Sequence, residues 1–142
     1  MPRNTDNRSA FLAAVLARAL PDAQPAAIAR AVQAMQTAAR AAKRWSETEC
    51  SYPLTEAQQA RGERRAERLA RAASDSLFSA AGAISCRNVN TGEITVYTGP
   101  DTPARRLTLR FGGDPRGPCA WLHVSDMPGD GWSADDGFAI YS

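Results

Sequence analysis

The sequence predicts an α+β fold, in which N-terminal helices, two of them forming a helical hairpin, pack on a small C-terminal antiparallel sheet. Through residues 9–82, apolar side chains recur at three- and four-residue steps, the pattern of a half-buried helix. Residues 83–142 instead contain short alternating segments separated by turns rich in glycine, proline and asparagine. A chain of 142 residues fits one domain, so residues 1–142 are expected to form a single domain with a helical half, 9–82, and a β half, 83–142. Because a run of helices precedes a run of strands, the expected class is α+β.

Two helices are expected before the first long turn. Ser9 has the side chain of an N-cap residue, and a helix is predicted over residues 9–20. Pro25 suits the first turn of a second helix, which is predicted to end near residue 47. Trp45 stands at the end of its apolar stripe. A short connection to the next helix then favours an antiparallel helical hairpin.

The third helix combines a clear start signal with a concentration of arginine. Thr55 and Gln58 have the spacing of a capping box, so a helix is predicted from there to about residue 81. At about 100° per residue, its arginines gather opposite an alanine- and leucine-rich stripe. A solvated helix face has this pattern, but like charges one turn apart destabilise an isolated helix. The alternative is a patch for phosphates or an acidic protein, formed by Arg61, Arg64, Arg65 and Arg68. No aromatic residue is interleaved with them, which disfavours base stacking.

The β half is expected to contain five short strands. Trp121 lies in an alternating segment and is predicted to belong to the core. Trp132 lies in a loop of glycine, serine and aspartate, where it would either anchor an interface or fold back on the sheet. The predicted strands are residues 83–89, 94–98, 106–111, 119–124 and 138–141.

A turn over residues 112–118 is the most constrained part of the backbone. Pro115 fixes its own φ, and the glycines permit conformations closed to other residues. Asp114 and Arg116 stand at the bend, where the pair either stabilises only the hairpin or presents Arg116 to a phosphate or a partner carboxylate. The spacing matches neither the P-loop nor the dinucleotide fingerprint.

Charge and cysteine content narrow the range of functions. The net charge is +2 and is unevenly distributed. Residues 1–82 contain 12 basic and 8 acidic residues, whereas residues 83–142 contain 5 basic and 7 acidic residues. The helical half therefore suits an anionic partner. Three cysteines without C-x-x-C spacing argue against a disulfide framework and a zinc site, and they indicate a reducing, cytoplasmic location. No apolar run reaches the length of a membrane span, and no cofactor or metal is predicted.

Catalysis has little support in the sequence. His123 is the only histidine, and Cys119 lies four residues before it. That separation is about 13 Å along a strand, too far for a nucleophile and its base. We therefore do not expect an enzyme.

Several elements together resemble a family. They are Cys50 after an amphipathic helix, Leu54-Thr55 opening an arginine-rich helix, the Asp114-to-Gly117 turn before Ala120-Trp-Leu, and Gly137-Phe-Ala-Ile-Tyr141. Over residues 28–141 the chain resembles the small orphan proteins of tailed phages and prophages of proteobacteria. The resemblance implies a phage origin and a non-enzymatic protein that binds a host component, with no catalytic residue to carry over.

Three functional hypotheses follow. The first is an inhibitor of a host defence complex, similar to an anti-CRISPR protein, that occludes a surface of a host protein or ribonucleoprotein. The second is a sponge for a nucleotide signal or another anionic small molecule, held by Arg116 and the glycine-rich turn. The third is a nucleic-acid-binding regulator that uses the arginines of the third helix. The alanine-rich helices are also compatible with a homodimer. The candidate binding residues are Arg61, Arg64, Arg65, Arg68, Asp114, Arg116 and Trp132.

Overall fold

A computed structural model describes residues 4–51, 53–82, 85–97, 104–112, 116–117, 119–127 and 135–140. In these ranges three helices precede a five-stranded antiparallel sheet, which confirms the predicted α+β class. The helices are α1 (Asn4–Ala19), α2 (Pro25–Ser51) and α3 (Glu56–Ala81). The strands are β1 (Ser85–Arg87), β2 (Ile94–Val96), β3 (Ala104–Phe111), β4 (Ala120–Met127) and β5 (Asp135–Ala139).

The first helix begins earlier than expected. The prediction that Ser9 caps it is wrong, because Ser9 lies inside α1. Its hydroxyl donates a hydrogen bond to Oε1 of Gln36 on α2, at 2.8 Å. The side chain thus ties two helices together rather than starting one.

The ends of α3 follow from local chemistry. The predicted capping box is confirmed: the backbone N–H of Gln58 donates to the Thr55 hydroxyl at 3.1 Å, and the backbone N–H of Thr55 donates to Oε1 of Gln58 at 3.0 Å. At the other end Gly82 adopts a φ of 83°, and its N–H donates to the carbonyl of Phe78. A positive φ is easiest for glycine, so the helix ends there.

The sheet is a meander in which each strand pairs with its neighbours in the sequence. Leu107 lies between Ile94 and Val124 in the register, and this face of the sheet is turned toward the helices. Because side chains alternate along a strand, Trp121 lies on the other face, where it is half-buried opposite Arg110. Its predicted place in the core is therefore wrong.

The core forms where the three helices meet one face of the sheet. Leu16 of α1, Met35 of α2, Leu77 of α3 and Leu122 of β4 are all fully buried in one cluster. The buried residues of α3 begin only at Ala73, so its first half packs much less deeply than its second. The arginines predicted as a binding surface belong to that first half.

Candidate functional site

Four arginines on the first half of α3 form a compact cationic face, here called the arginine surface: Arg61, Arg64, Arg65 and Arg68. All four side chains are exposed. Helix geometry places them within about 100° of the circumference and about 10 Å along the axis. Within the described residues none of them forms an ion pair or hydrogen bond. Their charge is therefore available to an anionic partner.

Nearby acidic side chains do not neutralise this surface. Glu63 accepts a hydrogen bond from Nε2 of Gln59 at 3.2 Å, on a different side of α3 from the arginines. Glu67, which the sequence places one turn before Arg71, shows no pairing with it in the described part of the chain. Glu63 lies on the opposite side of α3, and Glu67 borders the arginine surface about 60° from Arg64 without pairing with it in the described residues.

Trp45 of α2 packs against Gly62 of α3, next to the arginine surface. A Cβ at position 62 would come within 2.6 Å of Cε3 of the indole and closer still to Cζ3 and Cη2. Glycine is therefore the residue that lets the indole ring approach the α3 backbone at this point. The contact fixes how the end of α2 sits on the start of α3.

An open pocket of about 190 Å³ surrounds this contact. Its floor is apolar, formed by Trp45, Gly62 and two alanines, and its charged residues are Arg44 and Arg65, one from each helix. The Thr48 hydroxyl also lines it and donates to the carbonyl of Arg44 at 2.8 Å. An apolar floor with two guanidinium groups suits a ligand that has both an apolar and an anionic part.

Trp45 and Arg44 were not predicted as site residues. Trp45 was predicted to belong to an apolar stripe of its own helix, and no aromatic residue is interleaved with the arginines of α3, but the structure places this aromatic residue of α2 beside them. The available signal was Gly62, a glycine inside a helix otherwise rich in alanine and arginine. A glycine inside a helix costs about 1 kcal/mol relative to alanine, so its presence points to a packing or functional reason.

The other predicted site residues belong to the β half. Arg116 is exposed in the turn between β3 and β4, whereas Asp114 and Trp132 lie outside the described residues. The hairpin itself is confirmed: Gly112, with a φ of 111°, donates its N–H to the carbonyl of Cys119 at 2.7 Å. α3 packs on α2 and β1, so Arg116 and the arginine surface are presented by different elements. The anionic small-molecule site at the turn stays a prediction.

The residues considered for catalysis have separate surroundings. Cys119 is buried and donates to the carbonyl of Gly117 at 3.7 Å, while the ring of His123 lies against Gly137.

Among the described residues, no group of three or more His, Cys, Asp or Glu side chains could hold a metal ion. None of the helices in the described ranges combines the length and apolarity that a membrane span requires.

One titratable pair lies on the edge of the sheet. The pKa of Tyr97 is raised above its ordinary value, chiefly because its hydroxyl forms a hydrogen bond with Cys86. Electrostatic interaction with Cys86 and some desolvation raise this pKa further. Both side chains are exposed. Cys86 is in β1 and Tyr97 directly follows β2, so the contact belongs to that edge of the sheet and lies far along the chain from the arginine surface.

Comparison with known proteins gives no assignment. No family model, curated protein or solved structure matches the chain.

Proposed function

We propose that this chain is a phage- or prophage-encoded binding protein that inhibits a host defence complex by covering an acidic surface with its arginine surface. The observation that carries the proposal is the set of four exposed arginines on α3, none of them paired within the described residues. The proposed protein acts by occlusion, without catalysis or cofactor, in the cytoplasm of the infected or lysogenic host. The resemblance described above supports the phage origin.

The energetics favour a partner over a purely solvated face. The spacing creates four like-charge pairs three or four residues apart: 61–64, 61–65, 64–68 and 65–68. Each such pair destabilises a helix by about 0.2–0.5 kcal/mol, so the set costs on the order of 1–2 kcal/mol, and the opposite-charge spacing of Arg64 and Glu67 offsets only about one pair of it. Carboxylates of a partner would remove this repulsion, and paired Arg–carboxylate hydrogen bonds are among the stronger polar contacts.

Direct nucleic-acid binding is the second candidate. The indole of Trp45 beside Arg44 and Arg65 favours it, because an aromatic ring with neighbouring cations can stack a base and contact its phosphate. This candidate predicts an affinity that falls steeply with salt concentration for any oligonucleotide.

Affinity capture of the tagged protein from a host lysate, with and without nuclease, tests the proposal. The double variant Arg64→Glu/Arg68→Glu reverses two charges on the arginine surface. Arg18→Glu/Arg110→Glu makes the same change in net charge at exposed positions on α1 and β3. We expect one multi-subunit complex to be recovered in both nuclease conditions by the wild type and the control, and lost with the first variant.

Two results would count against this function. If the complex is no longer recovered after nuclease treatment, the chain binds nucleic acid rather than the host complex itself. Equal recovery by both double variants would show that the arginine surface does not contact the complex.

A further inference from the structure

The size and lining of the pocket at Trp45 suggest what the partner inserts there. An apolar cavity of about 150 Å³ is enough for a benzene ring, and the pocket beside Trp45 and Gly62 measures about 190 Å³. We propose that this pocket receives one aromatic side chain from an acidic segment of the partner protein. The inference rests on the proposed function, and it adds the chemistry of the anchor.

The charges at the pocket define the residues around that anchor. Arg44 on α2 and Arg65 on α3 are exposed and unpaired within the described residues. Each can take a neighbouring carboxylate through two parallel hydrogen bonds. Because the two arginines come from different helices, carboxylates flanking the aromatic residue would meet both of them. An aromatic anchor in a pocket with charged surroundings is typical of a binding hot spot.

Three features favour a protein segment over a nucleic acid as the occupant. The arginine surface spans only about 10 Å of α3, which is short for tracking a phosphate backbone. Within the described residues, Trp45 is the only aromatic residue where the end of α2 meets the start of α3, whereas single-stranded nucleic acids usually stack on several. The Thr48 hydroxyl already donates to the carbonyl of Arg44, so its proton is not available to read a base edge.

The test uses three fluorescein-labelled probes: a short peptide with one tyrosine among aspartates and glutamates, the same peptide with serine in place of tyrosine, and oligothymidylate. Fluorescence anisotropy gives the dissociation constant of each for the full-length wild type, Trp45→Ala and Gly62→Ala. Trp121→Phe, on the far face of the sheet, is the matched control. Far-UV circular dichroism confirms that each variant keeps its helices, and Gly62→Ala, which retains the indole but displaces it, covers the case in which Trp45→Ala does not fold.

We expect the wild type to bind the tyrosine peptide about tenfold more tightly than the serine peptide, as for an aromatic hot spot. Trp45→Ala and Gly62→Ala should remove that difference, and Trp121→Phe should keep it. Equal affinity for the two peptides, or a preference that survives both pocket variants, would overturn the inference. Tighter binding of oligothymidylate that depends on Trp45 would also overturn it and favour a nucleic acid.

Failure of this inference and failure of the proposed function are distinguishable. Arg64→Glu/Arg68→Glu lies outside the pocket lining and should weaken both peptides equally. If the pocket is not an anchor, that double variant still loses the host complex while Trp45→Ala retains it. If the proposed function is wrong, the double variant captures the complex as well as the wild type does.

Discussion

The contact between Trp45 and Gly62 makes a quantitative prediction. Replacing an interior helix glycine by alanine normally raises stability by about 0.8–1.0 kcal/mol. At position 62 the added methyl group would overlap the indole, and overpacking of this kind costs about 1–3 kcal/mol. The net result should be a loss of about 0–2 kcal/mol in place of the usual gain. In the Trp45→Ala background, where the ring is gone, Gly62→Ala should stabilise the protein by about 1 kcal/mol.

Urea unfolding of the wild type, both single variants and the double variant measures this coupling energy, for which we expect about 1–3 kcal/mol. Ala72→Gly, at an exposed position of α3, calibrates the helix propensity in the same chain. In ¹⁹F NMR of fluorotryptophan-labelled protein, Gly62→Ala should shift the Trp45 signal and leave that of Trp121 in place. Equal stabilisation in both backgrounds, with an unchanged Trp45 signal, would refute the predicted close packing.

Three further predictions follow from contacts elsewhere. Thr55→Ala should cost about 0.5–2 kcal/mol in urea unfolding and speed amide exchange in the first turn of α3; unchanged exchange would contradict the role of the capping box. Arg87 pairs with Asp75 at 2.6 Å and also lies 4.9 Å over the ring of Phe78 on α3. Because Arg87→Ala removes both contacts, it should destabilise the protein by about 1–2 kcal/mol, whereas Asp75→Ala, which removes only the ion pair, should cost about 0.2–1 kcal/mol. A larger loss for Asp75→Ala than for Arg87→Ala would be inconsistent with the cation–π contact. Because the pKa of Tyr97 is raised in the folded protein, the associated stability is present below the ordinary value of about 10 and is lost as pH rises through the raised value. Cys86→Ala should lower that pKa in an absorbance titration of tyrosinate, and an unaltered titration would argue against the contact.

Much of the fold could be predicted because local signals agreed with one another. Apolar periodicity identified the three helices, and the spacing of Thr55 and Gln58 predicted the start of α3 correctly. Ser9 was misread because an N-cap side chain is equally able to bond across to another helix. Trp121 was misplaced because alternation alone does not say which face of a strand the helices cover.

The candidate site was only partly predictable for a related reason. Helical geometry is enough to place Arg61 and Arg65 on one face of α3, and the structure agrees. The position of Trp45 beside them depends on how α2 docks along α3, which the period of either helix alone does not specify. Gly62 sets that docking, since any larger side chain would displace the indole.

Arg65→Glu tests the central claim that the arginine surface serves binding. The substitution turns the two like-charge pairs 61–65 and 65–68 into opposite-charge pairs, so each pair loses a repulsion and gains an attraction. The isolated protein should therefore gain about 1–2 kcal/mol of stability. Urea unfolding and capture of the host complex recovered by the wild type should be measured on the same preparation. If the arginine surface serves binding, Arg65→Glu should give a more stable protein that no longer captures the complex. A more stable protein that captures the complex as well as the wild type does would show that the arginine surface is only a solvated face.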